Sequence, residues 1–201
     1  VGHLRHIEES LANRVAAGLA LDKMPSAPVA AASVQEMETS PALQIIGKMK
    51  DTLVGRAVGI LIADGSQGAI IEKIKKAATD AGATVKIVAP KVGGVKPAGG
   101  SVLMADGQLA GTPSVLFDAV AVILSDEGAK ALSMESAAID FVRDAFGHLK
   151  AIAVDKGGRT LLRIAHVGPD AGVVDSNEPD AFIAAAKTRQ WDREKSVRML
   201  A

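Results

Sequence analysis

Between about residue 52 and about residue 187 the chain alternates short, unbroken apolar runs with longer stretches of helical period, and this alternation constrains its fold more than any other feature. The first run, Ala57-Val58-Gly59-Ile60-Leu61-Ile62, is apolar at every position. A strand of that kind cannot leave one face in water, so both faces must be covered. It closes at Asp64-Gly65-Ser66-Gln67-Gly68, and residues 69–81 follow with helical spacing and Gly82 as their stop. Val85-Lys86-Ile87-Val88-Ala89, then residues 119–124, then Ala151-Ile152-Ala153-Val154 repeat the strand pattern. A helix is predicted over 135–149, with Ala138, Phe141, Val142, Ala145 and Phe146 facing inward.

Strands joined through helices with right-handed crossovers make a parallel sheet covered on both faces. The expected fold is therefore α/β, a flavodoxin-like, doubly wound, mostly parallel sheet preceded by an amphipathic helix and a linker. Within it, the run 101–109 is split by Asp106-Gly107, which predicts a two-residue hairpin turn off the sheet. The last helix is expected to start at a Ser176 or Asn177 cap, with Pro179 in its first turn, and to run to Lys187. Upstream, Leu4, Ile7, Leu11, Val15 and Leu19 recur at helical spacing. The organisation expected is a helical leader over 1–21, a Pro- and Ala-rich linker over 22–51, the sheet domain over 52–188 and a polar tail over 189–201. The chain opens on Val1 rather than Met, as a piece of something longer would.

Composition removes several function classes. The chain has no Cys, which excludes disulfides, Cys-ligated zinc or iron–sulfur clusters, and a thiol nucleophile. It has no Tyr, 4 Phe and 1 Trp, which leaves no base-stacking platform and no tyrosinate for a haem iron. Its 23 basic and 23 acidic residues balance, so no net field gathers nucleic acid or an anionic membrane. No apolar run reaches the ~20 residues of a membrane span, and a cytoplasmic protein is expected.

Ligands of open α/β sheets bind at the carboxyl ends of the strands, which makes those loops the candidate sites. The glycines of residues 64–68 precede a helix, but their spacing matches neither phosphate-binding fingerprint and Asp64 would repel a phosphate. The loop after the fourth strand, Asp155-Lys156-Gly157-Gly158-Arg159, occupies the place of a nucleophile elbow without a Ser or Cys. Asp64, Asp126 and Asp155 end three neighbouring strands, as a phospho-acceptor pocket would require, and solvated loop carboxylates are the alternative. Asp64, Asp126, Asp155 and Lys156 are thus the strand-end candidates. No catalytic, cofactor-binding or metal-binding residue is assigned, since His3 and His6 share a helix face without a third ligand. Trp191, in the charged tail, is expected to anchor that tail on the domain or on a neighbouring subunit.

Four stretches read together, VGHL with LANRVAAGL (1–4 and 11–19), GRAVGILIADG (55–65), ADGQLAGTPSVLFDAV (105–120) and FVRDAFGHLKAI (141–152), resemble the C-terminal part of the large-subunit haem catalases. The resemblance implies that the leader ends the catalase helical region. It also implies an appended flavodoxin-like domain similar to the DJ-1, PfpI and class I glutamine amidotransferase group. The haem ligands of such catalases lie in a core domain upstream, so none carries over, and the Cys that DJ-1 relatives place at the elbow is here Asp155 or Lys156. The resemblance thus implies a non-catalytic domain without a cofactor of its own. Its parent, a haem enzyme, disproportionates hydrogen peroxide, and the domain supports assembly, stability and access to the haem. The partners implied are the catalase core domain and further copies of the parent, a tetramer, with neither nucleic acid nor membrane. Two alternatives stay open: an autonomous binding or holdase module that would take unfolded client proteins, and a degenerate DJ-1-like enzyme.

Overall fold

Strand β1 (Ala57–Ile62) is buried from Val58 onward and sets the frame, pairing in parallel with β2 (Thr84–Ala89) on one side and with β4 (Ala119–Ile123) on the other. The computed structural model describes residues 1–29 and 37–197, and the chain separates into two units, Val1–Ile45 and Ile46–Ala201.

In the second unit the sheet continues through β5 (Ile152–Val154) and β6 (Val173–Asp175), with β3 (Gly107–Gln108) beside β2, in the order β3-β2-β1-β4-β5-β6. Every pairing is parallel. Setting aside the two-residue edge β3, the strands follow the second-first-third-fourth-fifth order of a flavodoxin-like sheet. Side chains alternate across it. Val120, Val122 and Leu124 pack under α3 (Asp126–Leu132), α4 (Ser136–Gly147) and α5 (Lys156–Ile164). Ala119, Ala121 and Ile123 face α2 (Gly68–Asp80) and α6 (Pro179–Ala186). The apolar runs are unbroken because both faces are covered.

Four features of the second unit depart from the sequence expectation. The Asp106-Gly107 hairpin is absent: the Asp106 amide donates to the Ile87 carbonyl at 2.8 Å and its carboxylate accepts from the Ile87 amide at 2.7 Å. Asp106 therefore steers the chain into β3 at the sheet edge, and the fold-back occurs earlier, where Val95 and Leu103 form an antiparallel bridge. The last helix is entered through Glu178, with no side-chain cap; Asn177 instead bonds Asp175 and the Ser176 hydroxyl is buried. Helices α3 and α5 follow loops at which no helix is predicted. Strands β3 and β6 are too short to carry an alternation.

In the first unit the leader is not one helix. A 3-10 turn over Gly2–His6 ends at Ile7 and α1 (Glu9–Gly18) restarts after an extended Glu8. The break is held by the returning chain, since Arg5 donates to the Pro25 carbonyl and His6 Nε2 lies 2.6 Å from the Pro28 carbonyl. The restart shifts the helical phase, so Ala12 and Ala16 are buried whereas Ile7 and Leu19 are 74% and 61% exposed. The middle of the predicted linker, 30–36, lies outside the described residues.

Candidate functional site

The strand order reverses between β1 and β4, and the loops at their carboxyl ends carry the candidates Asp64, Asp126, Asp155 and Lys156. Asp64 follows β1, and its carboxylate accepts from the Lys96 amide at 2.7 Å while its carbonyl accepts from the Ser125 hydroxyl at 2.7 Å. Beside it Ser66, fully buried, donates to the Ile123 carbonyl and accepts from the Ala63 amide. This loop stitches β1 to β4. Ser125 caps α3 by accepting from the Gly128 amide at 2.9 Å. The next residue, Asp126, pairs with Lys156 at 2.7 Å in the open, which raises the lysine above its usual value through that hydrogen bond.

Asp155 is buried. It caps α5, accepting from the Gly158 amide at 2.8 Å, and it also accepts from the Leu124 amide at 3.0 and 3.1 Å. Burial pushes its carboxyl above the usual range, and those amide bonds oppose the push. The close approach of α5 to β4 demands the two glycines that follow Lys156: a Cβ on Gly157 would lie 2.1 Å from the Leu124 carbonyl oxygen, and one on Gly158 2.2 Å from that of Val122. A nucleophile elbow is a strained turn that pushes its side chain outward. Here Asp155 has φ −92 and ψ −169, extended and relaxed, and its carboxylate turns back onto backbone amides.

Asp64, Asp126 and Asp155 each answer to a different partner. Among the described residues no three His, Asp or Glu side chains come close enough to share a metal ion. Of the histidine pair, His6 is engaged with Pro28 and His3 is exposed.

The opposite, amino-terminal end of the sheet holds the densest buried charge. Arg193, 4% exposed, binds Asp170 through two contacts of 2.5 and 2.8 Å, donates to the Phe146 and Lys150 carbonyls, and lies 4.0 Å over the Phe146 ring. Burial alone would raise the Asp170 carboxyl, but the Arg193 guanidinium holds it below its usual value. Arg189 donates to the Asp118 carbonyl and carboxylate. Lys150, 3% exposed, donates to the Ser114 carbonyl at 2.7 Å. Burial, aided by the charge of Arg189 and opposed by Asp118 and Asp144, lowers the Lys150 ammonium to about 8. None of these roles is legible in the residue pattern. That pattern puts the tail anchor at Trp191, which lies half-buried, and Arg193 two positions on reaches the interior. The one visible signal is a charged tail that follows the last helix directly.

Comparison with known proteins covers nearly the whole chain. Residues 54–193 match the family described as the C-terminal domain found in long catalases. Catalase C of Rhizobium meliloti (strain 1021) is 38% identical over 208 residues, covering 99% of this chain and 29% of that protein. Catalase HPII of Mycobacterium avium is 33% identical over 168 residues, covering 83% of this chain and 23% of that protein. The chain thus spans less than a third of the length of these curated relatives. Among solved structures, a two-domain protein of Anabaena variabilis with DJ-1/ThiJ/PfpI-like and ferritin-like domains aligns with a TM-score of 0.53 at 20% identity, over 57% of this chain and 33% of that one. That likeness concerns the fold alone.

Proposed function

Since the chain belongs to the family of C-terminal domains found in long catalases, we propose that it serves such an enzyme as a non-catalytic domain that supports assembly and stability. The parent converts two molecules of hydrogen peroxide into two of water and one of oxygen in the cytoplasm, on a haem held outside this chain. The observation that carries the non-catalytic reading is Asp155. At the place where relatives of this fold put a nucleophile, the side chain is buried and spent on the Leu124 and Gly158 amides.

The residues present do not fit a haem of their own. The sequence has neither Tyr nor Cys, His6 is bonded to Pro28, and His3, His148 and His166 are exposed. A macrocycle needs an apolar cleft around its axial ligand, and none of these histidines sits in the core. No step of peroxide chemistry runs through this chain. Exposed apolar residues such as Leu43, Ile45, Val102 and Met104 favour coverage by the catalase core or by another copy of the parent.

The test is to give hydrogen peroxide to the purified chain with haem added, and to compare the parent catalase with and without residues 46–201. The proposal expects no oxygen from the chain alone, no Soret band retained after desalting, and a truncated parent with a lower melting temperature and weaker assembly. Oxygen evolution that disappears in Asp155→Asn, or a truncated parent with unchanged melting and assembly, would overturn it.

A further inference from the structure

We propose that the groove between the C-terminal tail and the loop joining α5 to β6 binds a small aromatic carboxylate. The groove encloses about 630 Å³, a volume suited to a small molecule, and lies at the sheet end opposite the strand-end candidates. One wall is the loop carrying His166 and Asp170, and the other is the tail from Arg189 to Arg193.

The chemistry of the lining selects the ligand. Asp170 and Arg193 are spent on each other, which leaves that part of the groove electrically neutral. Unspent groups remain around it. The His166 imidazole and the Trp191 indole N–H engage no other described residue, and Arg189 bonds Asp118 through its terminal nitrogens, leaving its Nε proton. The indole and the Arg189 Nε are donors and the imidazole offers at least one N–H, so the group they would recognise is an acceptor. Among the described residues Asp192, exposed on the rim, is the one lining carboxylate without such a partner, and it faces water. Trp191, half-buried, offers a flat indole surface on which an aromatic ring stacks.

The backbone at His166 fixes where its side chain starts. His166 has φ 58, in the left-handed region, where glycine is the unstrained choice. The turn itself needs only a residue able to take that φ: the His166 amide bonds the Arg163 carbonyl and the Val167 amide bonds that of Leu162, as in a helix end built on glycine. A histidine there puts an imidazole where the groove begins.

The experiment is a titration of the 201-residue chain with 4-fluorobenzoate, followed by fluorine NMR line broadening and by Trp191 fluorescence, which is free of Tyr emission. Saturable binding with a dissociation constant on the order of 1 mM is expected for so small a ligand. Cyclohexanecarboxylate, which keeps the charge and loses the ring, and benzyl alcohol, which keeps the ring and loses the charge, should each bind about 10-fold more weakly, a free-energy step typical of one lost contact. His166→Gly relieves the backbone while removing the imidazole. It should keep or raise the melting temperature and weaken binding several-fold. Trp191→Leu should abolish broadening, and Trp191→Phe should restore it. No saturable binding by the wild-type chain, equal binding of cyclohexanecarboxylate, or unchanged binding by a folded Trp191→Leu would each overturn the proposal.

Discussion

The two ends of the sheet handle charge in opposite ways. At the carboxyl end, Asp64, Ser125 and Asp155 are met by backbone amides of their own turns or of adjacent strands and loops, and the Lys156–Asp126 pair stands in water. At the amino end, Arg193 reaches Lys150, 43 positions earlier in the chain, and Arg189 reaches Asp118 across 71. Helix starts explain the pattern at Ser125 and Asp155, because the free amides of α3 and α5 point at that end and donate to a hydroxyl or carboxylate there. At the second end backbone amides also reach the carboxylates, Ala57 to Asp118 and Gly172 to Asp170. What distinguishes that end is the pair of guanidinium groups brought in on the tail, which meet the same two carboxylates and add donors to the Asp118, Phe146 and Lys150 carbonyls. Asp64 and Asp155 at the first end therefore answer to backbone amides, whereas the tail's cations at the second end are side-chain ties to distant elements.

The largest effect should come from breaking that tie. Arg193→Ala leaves Asp170 without its counter-charge and the Lys150 carbonyl without its guanidinium donor, while the Phe146 carbonyl keeps the Leu149 amide, a loss of about 3 kcal/mol. Urea denaturation should show it as a lowered midpoint, and limited proteolysis should cut the tail first. A midpoint within error of wild type would mean that the amino end is as locally satisfied as the other.

Alkali tests the same end through Lys150. Its folded value is about 8 against 10.5 when unfolded. The unfolded chain thus binds the proton more readily, stability is lowest below pH 8, and it rises as the pH climbs toward 10.5. The gain is on the order of 2–3 kcal/mol. Without Tyr or Cys, lysines dominate the titration in that window. Comparing denaturation at pH 7.5 and 10 with Lys150→Met, which should lack the rise, isolates the effect; an equal rise in the variant would assign it elsewhere.

Asp155→Ala should cost about 2 kcal/mol, since it removes the α5 cap and leaves buried amides of Leu124 and Gly158 unpaired. Acid separates the two ends further. Asp170, held low, loses its contribution as the pH falls below 3.8 through its folded value. Asp155, held high, sheds the penalty of its buried charge as the pH falls through its own. The acid limb of a denaturation profile should therefore steepen in Asp155→Ala. The smallest change is expected from Lys156→Ala, since Lys156 is exposed, as is its partner Asp126; the denaturation midpoint should not move measurably.

The strands were legible because β1, β2, β4 and β5 are nearly continuous apolar runs, a signal that survives in one dimension. Several helix ends were not. Helix α2 stops at a left-handed glycine, Gly82 at φ 88, but α1, α4 and α5 are followed by Ala20, Leu149 and His166 in that same conformation. With no glycine there, composition gives no sign of the stop. Helix α3 spans 7 residues, too few for a helical period to be read. The strand-end candidates lie where the pattern placed them. Their roles depend on which backbone amides face them, and spacing along the chain does not contain that.

By itself the sequence determined the layered α/β architecture, the catalase relationship and the absence of thiol and tyrosinate chemistry, since these rest on residue types and local order. Only the tertiary structure decided that Asp155 is a cap, that Arg193 ties the tail to the interior, and that Lys150 is buried. Each of those depends on desolvation and on partners distant along the chain, so the same residue types in the same order acquire their electrostatic roles only after the sheet has brought the tail and the loops together.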